Sequence, residues 1–278
     1  VIAGPGVSLD LHDAAMILSK SPIQFLGSED LPIVIESSDG TGQGMSLILK
    51  SSNEQTSILD YVEFKNLTSP SKDKWSVTGA ITIYQAKVDI SNSSFMNNKS
   101  EDCLNLVRST FRLSNVSFAN TFSDALDLDF SNGSIVDSEF INSGNDAIDF
   151  SGSIVTIEDV MIKKVGDKAI SVGEKSAATA SRIRIDGAEI ALTCKDQSTL
   201  TIDNCVISNS RIGVTAYQKK PEFGPGSITA TNLTQTGSEV PYMIEKRSTM
   251  TLDGKAIASK YKKVKDLLYG AEYGKSSK

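Results

Sequence analysis

The feature that most constrains this chain is a repeat of 22 residues. Stepping by 22 from Leu104 gives Leu126, Ile148, Ile170, Leu192 and Val214, and the column two residues further on reads Leu106, Leu128, Phe150, Val172, Cys194 and Ala216. Both columns are apolar. The column between them, Asn105, Asp127, Asp149, Ser171, Thr193 and Thr215, is polar throughout. Alternation with period two marks a strand with one face in a core and the other turned out.

A second strand falls earlier in each repeat. Phe95, Phe118, Phe140, Ile162, Ile185 and Ile207 recur at steps of 22 or 23, each preceded five residues back by Ile90, Leu113, Ile135, Ile157, Ala180 or Ile202. A step of 31 extends the pattern back to Phe64 and Leu59, and a step of 26 extends it forward to Leu233 and Ile228. The surplus residues lie in "PSKDKWSV" and "PEFGPG", turn-rich stretches expected to bulge as loops from one corner. Two residues after the aromatic column stand Asn66, Asn97, Asn120, Asn142 and Asn209, with gaps at Lys164 and Gly187. Stacked Asn amides bond from rung to rung, and Asn tolerates the left-handed backbone of a tight corner.

A fixed period of this size means a stacked array in which each unit buries its apolar face on the next. The pattern predicts a single all-β domain, a right-handed parallel β-helix with rungs of about 22 residues over 31–252. An irregular cap is expected over 1–30, and a capping helix with a tail over 253–278. In that helix Ile257, Tyr261, Val264, Leu267 and Leu268 share one face, and Gly270 is the candidate C-cap. A leucine-rich repeat needs a Leu-x-x-Leu-x-Leu run and an Asn at another phase. Helical repeats need an i, i+3, i+4, i+7 stripe, which is absent before the C-terminus.

On these columns the chain resembles the right-handed β-helix repeat proteins, over about residues 30 to 240. That group includes pectate and alginate lyases, mannuronan epimerases and tailspike or adhesin domains, and the resemblance implies a carbohydrate-active role. Several of the group's signatures are missing. The single histidine, His12, lies far from the repeat, which removes the Gly-His-Gly and Tyr-His pairings, and "RIR" at 182–184 stands without a partner motif.

Composition narrows the partners. With 28 Lys and Arg against 34 Asp and Glu, a net charge of -6 and aromatics at 6%, no basic, aromatic-interleaved surface for nucleic acid is expected. No apolar run is long enough to span a membrane. The opening "VIAGPGVSLDL" carries no leader pattern, so any secretion signal is expected to be absent or already removed. Cys103, Cys194 and Cys205 are odd in number and at no metal-ligand spacing, so no disulfide framework is expected.

Chemistry on a β-helix is expected on the outward columns of one sheet. Beside the polar column runs Val107, Asp129, Ser151, Gly173, Lys195 and Tyr217. Asp127, Asp129 and Asp149 crowd within two rungs and are candidate calcium ligands, with Ser151 or Asn105 adding oxygens; the alternative is carboxylates satisfied by Ser and backbone donors. Further along, Lys175, Lys195 and Lys219 gather with Tyr217. This group suits β-elimination on an acidic polysaccharide, a lysine crowded by other lysines acting as base and the tyrosine returning the proton. Asp149, Ser151, Ser171, Glu174, Thr193, Thr215 and Gln218 are the expected substrate contacts. Upstream, Asp102, Asp124 and Asp146 are expected to bond their own backbone as turn residues, with Lys168 pairing with Asp146. The second reading is a non-catalytic module of a larger surface or extracellular protein that recognises sugar or acts as a spacer.

Overall fold

The computed structural model describes residues 1–49 and 55–270. Each rung passes through three parallel sheets, as in Asp102–Val107 of the first, Thr110–Ser114 of the second and Ser117–Thr121 of the third. The next rung begins at Asp124–Asp129 and pairs in register, Leu104 beside Leu126, Asn105 beside Asp127 and Leu106 beside Leu128. Ile148–Ser151 follows with Asp149 beside Asp127, and the same sheet ends at Ile212–Tyr217 and Val240–Ile244. The chain is an all-β parallel β-helix. The 22-residue period is the length of one circuit.

Tight corners make the circuit close. Gln85, Arg108, Phe130 and Gly152 turn the chain from first to second sheet with φ of 54°, 50°, 51° and 64°. Asn97, Asn120 and Asn142 carry φ of 56°, 55° and 60° at the third sheet, and the expected amide ladder runs from Asn142 to Asn120 at 2.8 Å and from Asn120 to Asn97 at 3.1 Å. At the gaps, Lys164 and Gly187 keep φ of 55° and 79°. The corner therefore dictates the backbone, and Asn is the residue that meets it with least strain while bonding its neighbour.

The inward columns are buried from end to end. Phe64, Phe95, Phe118 and Phe140 stack with centroids 5.1, 4.6 and 4.8 Å apart and planes within 13°. Sequence reading missed a second internal ladder. Ser109, Ser131, Ser153, Ser176 and Ser198 are buried; Ser109 Oγ accepts the N–H of Ala86, and each later hydroxyl accepts the N–H of the serine one rung earlier, at 3.0 Å for Ser131 and 2.9 Å for Ser153. Each of Ser109, Ser131 and Ser153 donates in turn to carbonyls inside the coil, so a corner N–H that no strand ladder reaches is satisfied. The recurrence of Ser at 22 or 23 residues was the available signal.

Four expectations are corrected. Residues 1–30 are not an irregular cover: Ile2–Ala3, Ser8–Asp10 and Ile17–Ser19 pair in parallel with Gln24–Leu26, Ile33–Glu36 and Met45–Ile48, forming the first rung. The forward extension is 28 residues rather than 26, since Leu200 pairs with Ile228 and Cys205 with Leu233, while Ile202 and Ile207 meet Ala230 and Gln235. The two inserts leave from different corners. One forms the hairpin Ser71–Lys72 with Trp75–Ser76 ahead of Gly79–Tyr84, and the other, 218–226, follows Ile212–Tyr217, so they wall opposite ends of the first sheet. Finally, the helix spans only Val264–Tyr269. Ile257 and Tyr261 lie outside it because this stretch is held extended, Tyr261 accepting from Lys246 N at 2.7 Å and donating its N–H to Ile244 O at 3.2 Å. Gly270 does cap the helix, in extended rather than left-handed conformation, and the expected tail 271–278 lies outside the described residues.

The helix also sits elsewhere than an end. Val264 and Leu268 pack with Ile190, Ile212, Tyr217 and Met243, covering the outward face of the first sheet on its last rungs. Among the described residues no helix is long and apolar enough to cross a membrane, and the three cysteines are free and buried.

Candidate active site

The outward face of the first sheet carries three side-chain columns. At its upstream edge two successive residues turn inward on every rung, Cys103 and Leu104, Ala125 and Leu126, Ala147 and Ile148. This break in alternation turns the preceding acid outward and leaves backbone donors off the ladder. The acids satisfy them. Asp146 N donates to Asp124 Oδ1 at 2.8 Å, and Lys168 N donates to Asp146 Oδ1 at 2.9 Å. Asp124 and Asp146 thus bond the next rung rather than their own turn, which corrects the sequence reading. Lys168 does pair with Asp146, at 3.4 Å, and more closely with Asp167, at 2.6 Å. Burial opposes charge on Lys168, but Asp146 and Asp167 hold its ammonium well above the ordinary lysine range.

The middle column sets two carboxylates against each other. Asp127 is pushed up to about 9, by burial first and then by the charges of Asp102, Asp129, Asp149 and Asp124. Asp124 is pushed up to about 8 by burial and Asp146, and Asp102 to about 6, chiefly by burial. Asp129 is raised by burial as well. Asp149 goes the other way. Burial would raise it, but the Lys195 ammonium, 3.4 Å from Oδ1, holds it below the usual carboxylate range, aided by Ser171. Phe150 N also donates to Asp149 Oδ1, at 3.1 Å. Asn105 donates from Nδ2 to Asp127 at 2.8 Å and Asp129 at 3.4 Å, keeping both acids in place.

The lysine and tyrosine group is brought near this face but not set free upon it. Lys195 is 5% exposed and donates to Ser171 Oγ at 2.6 Å. Burial lowers its proton affinity, and Asp149 more than offsets this, so Lys195 is raised above the ordinary lysine value rather than poised as a base. Tyr217 is fully buried under the C-terminal helix, its hydroxyl 3.3 Å from that of Tyr269, and burial pushes it well above the ordinary phenol range. Lys219 lies over the Tyr269 ring at 5.1 Å, and Lys175 over the Phe223 ring at 5.7 Å. The expectation of an exposed lysine base beside a free tyrosine acid is therefore corrected, because the returning C-terminal segment covers those rungs.

The expected substrate contacts divide along the same line. Asp149 and Ser151 remain partly open. Ser171, Thr193 and Thr215 are fully buried, the last two joined through their hydroxyls at 2.9 Å. Gln218 instead ties its loop, donating from Nε2 to Phe223 O at 2.6 Å, and Glu174 pairs with Lys220 across that loop. Asp196 anchors the same turn, its Oδ1 accepting Lys219 N at 2.6 Å and Lys220 N at 2.7 Å.

Among the described residues no group of three or more His, Cys, Asp or Glu is arranged to hold a metal ion. The oxygens of Asp127, Asp129 and Asp149 face the Asn105 amide and the Lys195 ammonium, which are donors and would oppose a cation.

A profile of the right-handed β-helix region matches residues 103–256, more than half of the chain. The chain belongs to the right-handed β-helix family. No curated protein sequence matches it. Two solved β-helices resemble it in fold. The catalytic domain of a GH87 alpha-1,3-glucanase in complex with nigerose has a TM-score of 0.50 and 12% identity, over 92% of this chain and 64% of that one. Pectate lyase Pel9A has a TM-score of 0.52 and 12% identity, over 93% and 71%. This β-helix thus spans less than two thirds of the glucanase domain. At such identity the likeness concerns the fold alone, and the function has to be argued from the site.

Proposed function

We propose that this β-helix cleaves a glycosidic bond in a neutral polysaccharide, with Asp127 as general acid and Asp149 as its ionised partner. One observation carries the reading: two carboxylates on adjacent rungs whose environments drive their proton affinities apart, Asp127 to about 9 and Asp149 below the ordinary range. Such a pair supplies a proton and an anion together at neutral pH. The Asp127 proton passes to the bridging oxygen as the anomeric carbon–oxygen bond breaks. Asp149 Oδ2 then bonds the anomeric carbon, its Oδ1 being held by Phe150 N and Lys195. Water releases the sugar, giving its proton to the Asp127 carboxylate. Rungs stand about 4.8 Å apart, and a carboxylate separation near the roughly 5–5.5 Å of retaining pairs would keep the anomeric configuration of the product.

The same face disfavours the acidic substrate and β-elimination read from the lysines. Lys195 and Lys220 are paired with Asp149 and Glu174, so an anionic chain would meet carboxylates first. The proposed substrate lies outside the cell or at its surface, where such polymers occur, and the glucanase and lyase names of the fold relatives agree with a carbohydrate ligand. The 64% coverage agrees with a chain that is one part of a larger protein. Incubation with neutral glucans and with uronate polymers, reading reducing ends and unsaturated-product absorbance, tests the proposal. Reducing ends from a neutral glucan, lost in Asp127→Asn and Asp149→Ala, are expected. Unsaturated product from a uronate would restore the lyase reading, and no cleavage of any polymer would leave a non-catalytic sugar-binding module.

A further inference from the structure

The rung that carries Asp127 differs from the others in its aromatic side chains. Among the described residues, the exposed Phe, Tyr and Trp side chains are Phe122 and Phe130, at 73% and 53%. Both belong to this rung. Phe122 stands two residues before the strand Asp124–Asp129, and Phe130 follows it directly. An exposed Phe forgoes the roughly 1.5–3 kcal/mol that burial would contribute. Phe130 carries a second cost, since a bulky residue rarely adopts its left-handed φ of 51°.

The neighbouring rung makes room for each. Thr121 pairs with Ser143, which puts Gly144 beside Phe122, and Gly166 continues that column one rung further. A Cβ on Gly144 would stand 2.0 Å from Phe122 O, so only glycine fits beside the backbone of Phe122. At the other corner Gly152 follows Phe130, where a Cβ would stand 2.6 Å from the ring's Cδ1. Arg108, one rung earlier, lies over one face of the ring, 5.1 Å from its centroid, and steadies it. Two exposed rings, each beside a glycine on the Asp149 rung, thus bracket the strand that bears Asp127.

We propose that Phe122 and Phe130 are sugar-stacking platforms at the two ends of a glycan path that crosses the first sheet along Asp124–Asp129. The C–H face of a pyranose is apolar and packs flat on an aromatic ring, so a ring exposed beside acids selects a sugar over an ion. A six-residue strand spans roughly 20 Å. The path therefore takes several sugar units, with the scissile bond over Asp127 and the chain running parallel to the strands rather than along the coil axis. This inference rests on the glycan-cleaving reading for the identity of its ligand.

The test measures binding apart from cleavage. In an Asp127→Asn background, affinity for neutral oligosaccharides from the disaccharide upward is measured by calorimetry for the parent, for Phe122→Ala, for Phe130→Ala, for the double variant and for Phe→Trp at each site. Each Ala variant is expected to weaken binding up to about tenfold, with the loss growing with chain length because only a longer chain reaches both rings, and Trp restores affinity. Both side chains are exposed, so melting temperature stays within a degree or two, which separates lost stacking from misfolding. Unchanged affinity in the double Ala variant overturns the platforms while leaving the cleavage reading intact. If the parent binds none of the sugars, both fail.

Discussion

Replacing Asp127 by Asn isolates the proton that distinguishes this face. Asp127 Oδ2 accepts from Asn105 at 2.8 Å, and an Asn Oδ1 can accept the same bond, so the substitution keeps shape and pairing while removing the titration. Asp127 is raised in the fold to about 9, against roughly 3.9 in an unfolded chain. Between those values the native state holds one proton more than the unfolded state, so this group's contribution is fullest at low pH and is lost as pH rises towards 9. The slope is about 1.4 kcal/mol per pH unit for each extra proton. From pH 5 to 8 a single isolated site would give about 4 kcal/mol. Asp102 and Asp124, also raised, lie close enough for their charges to act on Asp127, which is partly open to water, and this halves the expectation to about 2 kcal/mol. Asp127→Asn should therefore gain on the parent by roughly 3–4 °C in Tm more at pH 8 than at pH 5. Thermal unfolding followed by circular dichroism across that range reads the difference. Equal offsets at both pH values would mean that Asp127 is already ionised in the fold, and the acid role would go with it.

Other consequences can be measured on the same protein. Lys195→Met leaves Asp149 without its ammonium and should cost about 3–5 kcal/mol in chemical denaturation, with most of the loss recovered by adding Asp149→Asn; no recovery would mean that Lys195 acts by packing alone. Ser153→Ala strips the acceptor from Ser131 N and should cost about 1–3 kcal/mol, more than Ser151→Ala on the partly open face, by the same assay. Added calcium should leave the melting temperature unchanged, because the Asn105 amide and the Lys195 ammonium already serve the carboxylates; a rise with metal that a chelator reverses would contradict that account.

Much of the architecture is legible in the amino-acid sequence. A circuit of fixed length forces equivalent residues to stack, so the period itself yields the register that pairs Leu104 with Leu126 and Asp127 with Asp149. The Phe stack and the Asn ladder followed from the same step. The serine ladder is equally periodic but carries no hydrophobic signal, and a small polar residue is as common at an exposed turn as at an internal acceptor position. The 28-residue step at the last insert was misjudged because Ile228 and Leu233 are apolar and lie in neighbouring inward columns, so two registers satisfy hydrophobicity alone.

The sequence by itself determined the coil, its rung length, its inward columns and the crowding of Asp127, Asp129 and Asp149 on one outward face, since all of these repeat with the circuit. Only the tertiary structure decided which part of that face is open. Tyr217 meets Tyr269 across 52 residues, a contact outside the repeat, and the segment that makes it buries the rungs where lysines had suggested a base. The proton affinities followed from that choice. Burial and neighbouring charge belong to the assembled surface, and they part Asp127 from Asp149, two acids that the sequence could only set side by side.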